Sequence, residues 1–240
     1  MRAGFVSIVG KPNVGKSTLL NRLVGVHLAA VSRKPQTTRQ VIRGILTESR
    51  GQVIFLDTPG LHRPRDILGR FMVREATKTF LEADLFYWLV EPLAPDGRDF
   101  ELLDFLRDEQ GRKPERPRPV FCLVNKIDSV PKPDLLPVLD QYQKQFSFQE
   151  LIPISALKGL QMDVLLEKTF ACLPEHEPYF PQDLTSDQTV RFLAREMIAE
   201  KIFRFTGEEI PYSTAVQIQD FKEEESIVRI HAVVFTERDS

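Results

Sequence analysis

The sequence predicts a doubly wound α/β domain built on a mostly parallel six-stranded sheet, followed by a smaller α+β unit. Two observations carry this. From residue 5 onward, short apolar runs alternate with segments of helical period, the pattern of a sheet with helices packed on its faces. Beyond residue 172 the alternation gives way to a polar stretch carrying Pro174, Pro178 and Pro181, and then to one helical pattern and two strand patterns.

The strand candidates are residues 5–9, 41–47, 53–56, 85–90, 120–124 and 151–154, most of them short and apolar, as strands covered on both sides should be. Helical spacing between them predicts helices over 17–23, 68–81, 100–106, 135–146 and 162–170. These make one domain over residues 1–172. Residues 173–186 cannot continue a helix and read as a linker. Val190, Leu193, Ala194, Met197, Ile198, Ile202 and Phe205 then recur at the spacing of one helical face, so 187–205 should be an amphipathic helix. Strand patterns at 213–221 and 227–235 follow, joined through Glu223, Glu224 and Glu225. The second unit, residues 187–240, is therefore α-β-β.

Composition narrows the class. The 240 residues are 42% hydrophobic and 28% charged, with Lys+Arg 32 against Asp+Glu 34, a balance that excludes disordered and fibrous chains. No apolar run approaches the ~18–20 residues of a membrane span, and Met1 leads directly into a strand pattern, so a cytoplasmic protein is expected. Cys122 and Cys172 sit in apolar segments without a ligand or redox spacing and read as buried thiols. The basic, proline-rich run 111–119 reads as a solvated loop, and Trp88 with its aromatic neighbours as core.

Chemistry concentrates at the strand ends. Directly after the first strand comes Gly10-Lys11-Pro12-Asn13-Val14-Gly15-Lys16-Ser17, the GxxxxGK[ST] pattern in its strand-loop-helix context. Glycines allow close backbone approach, so successive N–H groups converge on phosphate oxygens at the positive end of a helix. The cradle comprises Asn13, Val14, Gly15, Lys16, Ser17 and Thr18, with Lys16 facing the β and γ phosphates and the Ser17 hydroxyl available to Mg²⁺. Asp57-Thr58-Pro59-Gly60 closes the third strand, placing a carboxylate to bind Mg²⁺ through water and a Gly60 N–H at the γ-phosphate.

The base is read further on, at Asn125, Lys126 and Asp128 after the fifth strand. A carboxylate accepts both the ring N–H and the exocyclic amine of guanine; adenine offers an acceptor at the ring nitrogen and would leave Asp128 unpaired. Ser155-Ala156-Leu157-Lys158 follows the sixth strand, where backbone N–H groups reach toward the guanine carbonyl. Four motifs in this order, each at the carboxyl end of a strand, predict a guanine nucleotide site. Two readings compete with a GTP hydrolase. One is an ATPase with a misleading Asn-Lys-Ile-Asp, and the other a binding module with negligible turnover.

Together with Gln36-Thr37-Thr38-Arg39, these motifs make the sequence resemble the translation-factor-class P-loop GTPases, and within them the Era family. The tail adds to the likeness, because residues 192–213 resemble the start of that family's RNA-binding KH domain. The tandem-GTPase Der and the tRNA-modifying MnmE share the first four motifs but not this tail. The resemblance covers essentially the whole chain. Another KH-linked, ribosome-associated GTPase is the neighbouring alternative.

The resemblance implies a GTP/GDP switch of small-subunit ribosome assembly that binds 16S rRNA through its KH domain, a monomer peripheral to the inner membrane. It implies that Thr38 ligates Mg²⁺ in the GTP state, that residues 37–39 lie in the first switch and that 57–71 form the second. The catalytic set is then Lys16, Thr38, Gly60 and Asn13. Leu61 stands where many GTPases place a water-orienting Gln, so intrinsic hydrolysis should be slow. Asn13 either shapes the loop or, as in related potassium-activated GTPases, helps hold K⁺ with Ser32 and Lys34.

One departure from the family pattern concerns RNA. A KH domain clamps RNA with a GxxG loop, and none occurs between residues 173 and 240. Residues 185–240 hold Lys+Arg 7 against Asp+Glu 11, a net of −4 that repels phosphate. The expectation is a KH-type unit that stops short of its clamp, with weakened RNA binding and an apolar face normally covered by the rest of the domain.

Overall fold

A computed structural model describes residues 1–32, 40–59, 79–111, 118–206 and 214–236. Thr38, Gly60, Leu61, Lys34, most of both expected switches, most of the helix expected at 68–81 and most of the basic loop lie outside the described residues.

The elements run β1 (Arg2–Gly10), α1 (Lys16–Val24), β2 (Ile42–Glu48), β3 (Gly51–Asp57), β4 (Leu85–Val90), α2 (Gly97–Gly111), β5 (Val120–Val124), α3 (Lys132–Gln143), β6 (Glu150–Pro153), α4 (Met162–Cys172), α5 (Val190–Phe205), β7 (Thr214–Glu223) and β8 (Val228–Thr236). β1 to β6 form one sheet in the order β2-β3-β1-β4-β5-β6, and β7 and β8 pair separately. β1, β3, β4, β5 and β6 are mutually parallel, whereas β2 runs antiparallel to β3. Only Ser49 and Arg50 separate β2 from β3, too short a connection for the crossover that parallel strands need.

β4 shows why the strands read as continuous apolar runs. Leu85, Tyr87 and Leu89 join the core layer with Leu19, Leu20, Leu165 and Phe170, while Phe86, Trp88 and Val90 join the other layer with Leu103, Leu106 and Tyr142. Successive side chains feed opposite faces, and both faces are covered. Trp88 stacks on Phe148 with centroids 5.4 Å apart and meets Tyr142 edge-on at 5.5 Å, which fixes it as core. Cys122 is buried, but Cys172, at the end of α4, is only half-buried.

The stretch expected to be a linker is fastened along the sheet. Pro174 O accepts the Ala3 N–H, and the buried Gln52 side chain accepts the N–H groups of Tyr179 and Phe180 while donating to Phe180 O. Thr185 O then accepts the Ile45 N–H at 2.8 Å, and Ser186 Oγ donates to Arg43 O at 2.6 Å. This strap covers part of the backbone that edge strand β2 would otherwise expose. α5 begins at Val190 because the Thr189 hydroxyl caps it, accepting the Phe192 N–H.

Candidate nucleotide-binding site

All the sequence motifs on described residues converge on one edge of the sheet, the carboxyl ends of β1, β3, β5 and β6. The strand order reverses around β1, and the loop that leaves β1 opens into the crevice such a reversal creates. That loop is tightly wrapped. A Cβ at Gly10 would lie 2.5 Å from Leu89 O, and Gly15 holds φ 104°, a left-handed conformation that favours glycine. Asn13 is also left-handed, at φ 64°.

Lys16 opens α1 and folds back over its own loop, donating to Gly10 O at 3.0 Å and Lys11 O at 2.9 Å. Burial drives its pKa down to about 8, partly opposed by the charge of Asp57. A phosphate arriving here would restore full protonation. Ser17 Oγ donates to Asp57 Oδ2 at 2.7 Å, which sets two hard oxygen donors side by side. Oxygen donors beside a phosphate cradle are the chemistry Mg²⁺ prefers, so Ser17 and Asp57 fit that ion. Thr58 anchors this corner by donating to Ile8 O at 2.7 Å. Thr18 follows in the first turn of α1, half-buried.

Asn125 ties three segments together. Its Nδ2 donates to Val14 O in the phosphate loop at 2.8 Å, and its Oδ1 accepts the Ala156 N–H at 2.9 Å. Lys126, left-handed at φ 66°, donates to Asn13 O at 2.7 Å and pairs with Glu91. Asp128 accepts from Ser155 Oγ at 2.5 Å, and the same hydroxyl accepts the Lys158 N–H at 3.1 Å. A carboxylate has about four acceptor sites, so one bond from Ser155 leaves Asp128 able to take two more. In this arrangement the Ala156 N–H is already taken by Asn125, and Leu157, largely exposed, is the next backbone donor along the loop.

Three contributors were not foreseen from the sequence. Glu91 ends β4 and pairs with Lys126. Lys11 bridges the loop to Asp96 at 3.0 Å and the buried Asp99 at 2.8 Å; these hydrogen bonds and charges hold its pKa up despite partial burial. Arg22 of α1 donates to the carbonyls of Ala156 and Leu157. Each makes its contact across 35 residues or more, where no local spacing signals it.

The family model described as 50S ribosome-binding GTPase matches residues 5–126. The GTPase Era of Syntrophus aciditrophicus is 45% identical over all of this chain and 77% of its own length. That of Staphylococcus haemolyticus is 42% identical over 100% of this chain and 78% of its own length. Two solved structures superpose on the whole chain and on 80% of theirs at 38% identity. A variant of Aquifex aeolicus Era bound to GDP and AlF4⁻ gives a TM-score of 0.91, and Era in complex with MgGDPNP and nucleotides 1506–1542 of 16S ribosomal RNA gives 0.90. With its sheet order, its strand-end motifs and relatives of this similarity along its full length, the chain belongs to the GTPase Era family.

Proposed function

We propose that this chain binds and hydrolyses GTP as a switch in small ribosomal subunit assembly. The observation that supports it best is the Asn125 side chain, bonded at once to the phosphate loop and to the loop after β6. It brings the Lys16 cradle and the Asp128 carboxylate into one crevice, with the triphosphate on one side and guanine on the other.

In this reading the N–H groups of residues 13–18 cradle the phosphates and Lys16 supplies the positive charge, while Ser17 and Asp57 hold Mg²⁺ with Thr38 completing its shell. When bound, Mg²⁺ neutralises charge on the β and γ phosphate oxygens. Gly60 meets the γ-phosphate through its N–H, Asp128 and the 155–157 loop take the base, and the two switches respond to the γ-phosphate. Asn13, with Ser32 and Lys34, would hold a K⁺ ion, which would supply positive charge toward the phosphates where other GTPases use an arginine. The chain divides into a nucleotide domain at 1–172, a strap at 173–186 and a KH-type unit from 187.

The matching family model spans only residues 5–126, whereas the Era complex with 16S rRNA aligns with the whole chain, which favours the small subunit over the large one. The net charge of −4 over 185–240 means that these residues add little to phosphate contact, so the 240-residue chain should bind a 16S 3′ fragment weakly and with a shallow salt dependence. Among the described residues no helix is long and apolar enough to cross a membrane. The family reading carries a cytoplasmic monomer that meets the inner membrane peripherally.

Single-turnover hydrolysis with Mg²⁺ tests the enzyme against the pure binding module. GTP should be cleaved, slowly, and faster in K⁺ than in Na⁺; equal rates in the two salts would remove the potassium site, and no cleavage would leave only the binding module. ATP in large excess should fail to displace GDP.

A further inference from the structure

We infer that Arg22 is the positioning residue that aims the base-reading loop, and so sets recognition of the guanine carbonyl from the helix that also carries the phosphate-binding lysine. This rests on the guanine-nucleotide reading above. Arg22 lies on α1, six residues beyond Lys16. Its Nε donates to Ala156 O at 3.0 Å and its Nη2 to Leu157 O at 2.6 Å. The side chain also lies along Gly159, where a Cβ would sit 3.8 Å from Arg22 Cδ, Cζ and Nε.

Pinning a carbonyl does more than hold a loop in place. The peptide unit is planar and trans, so fixing one C=O fixes the direction of the next residue's N–H on the opposite side of that plane. Ala156 O bound to Arg22 therefore sets the Leu157 N–H, and Leu157 O bound to Arg22 sets the Lys158 N–H. The Lys158 N–H meets Ser155 Oγ, and that hydroxyl donates to Asp128 Oδ1, so one guanidinium orders the loop that presents the Leu157 N–H, while Asp128 keeps its own place after β5 and touches that loop through Ser155. Its rigid fork suits two carbonyls at a fixed separation; a lysine ammonium is a point charge on a flexible stem. The Lys16 end of α1 faces the phosphates and the Arg22 turn holds the base loop, so one rigid element sets the spacing between the two halves of the ligand.

The test compares GDP with two analogues by displacement of a fluorescent guanine nucleotide. 6-Thio-GDP keeps the ring N–H and the exocyclic amine but replaces the carbonyl with a weak acceptor; IDP keeps the carbonyl and lacks the amine. The wild-type chain should prefer GDP over both. In Arg22→Ala the preference for GDP over 6-thio-GDP should fall about tenfold, because affinity for GDP drops while 6-thio-GDP is little changed, and the preference for GDP over IDP should persist. Arg22→Lys should fall between and serves where the alanine variant does not fold. If Arg22→Ala, shown folded by circular dichroism, weakens all three ligands equally or none of them, Arg22 does not aim the loop and the inference fails alone. Should the wild type show no preference between GDP and either analogue, the base reading itself fails and this inference with it.

Discussion

β4 and α5 are both rich in large apolar residues, yet the fold treats them oppositely. Every residue of β4 is buried, whereas in α5 Glu200 and Phe203 are the buried residues, and Val190, Met197 and Phe205 are strongly exposed. The nucleotide site stands on the first kind of structure. The second is fastened to it at particular points. Glu200 Oε2 takes His27 Nε2 at 2.7 Å and the Val31 N–H at 3.2 Å, just ahead of the expected first switch, and Arg43 pairs with Asp187 at 2.9 Å. Phe192 and Leu193 add partly buried apolar contact. A rigid sheet edge holds a preorganised ligand crevice; a tail whose helix keeps much of its apolar surface exposed can be repositioned at lower cost.

That contrast sets the sizes of the expected effects. Trp88→Ala removes a fully buried ring from between Tyr142 and Phe148 and should cost about 3–5 kcal/mol in urea unfolding. A loss under about 1 kcal/mol would mean that the core beside the site is far looser than its packing indicates.

The buried Lys16 gives the next effect. With its pKa lowered to about 8 by burial, and restored by a bound phosphate, nucleotide binding takes up a proton above that pH. Affinity for GDP should be flat below about pH 8 and should fall above it by up to about tenfold per pH unit, measured between about pH 7 and 9, before the guanine ring N–H titrates. A flat profile over that window would show that Lys16 is fully charged before the ligand arrives.

Smaller again is the clasp on the tail. Glu200→Ala should cost about 1 kcal/mol and speed hydrogen exchange at Val31, with little change in GDP affinity. Equal loss of GDP affinity would make the tail part of the nucleotide site rather than attached to it. Phe205→Ala, at a side chain 76% exposed, should shift stability by less than about 0.5 kcal/mol.

The sequence was most legible where chemistry and secondary structure share a short segment. The phosphate loop, the aspartate closing β3 and the Asn-Lys-Ile-Asp after β5 each announce themselves by local order and by standing at a strand end. Their assembly was legible because an alternating strand and helix pattern forces those ends to one edge. The antiparallel β2 had a signal too, in the short gap of residues 48–52 between the strand patterns 41–47 and 53–56, which leaves no room for a crossover. α3 starts at Lys132 rather than near 135 because proline is tolerated in a first helical turn. Arg22, Glu91 and Glu200 are different. Each is an ordinary charged residue on its own segment and acquires a role only through partners 134, 35 and 169 residues away. The fastening of residues 173–186 along the sheet has no local signal for the same reason, since their prolines exclude helix but say nothing of the buried Gln52 that grips them.

The most direct test exchanges the carboxylate that reads the base. Asp128→Asn presents one acceptor and one donor, which fits the ring N–H and the second carbonyl of xanthine and mismatches the exocyclic amine of guanine. The variant should lose GDP affinity by about 10⁴-fold and bind XDP in preference to GDP. A variant that still prefers GDP to XDP would contradict the account, because the side chain would then not be facing the purine edge.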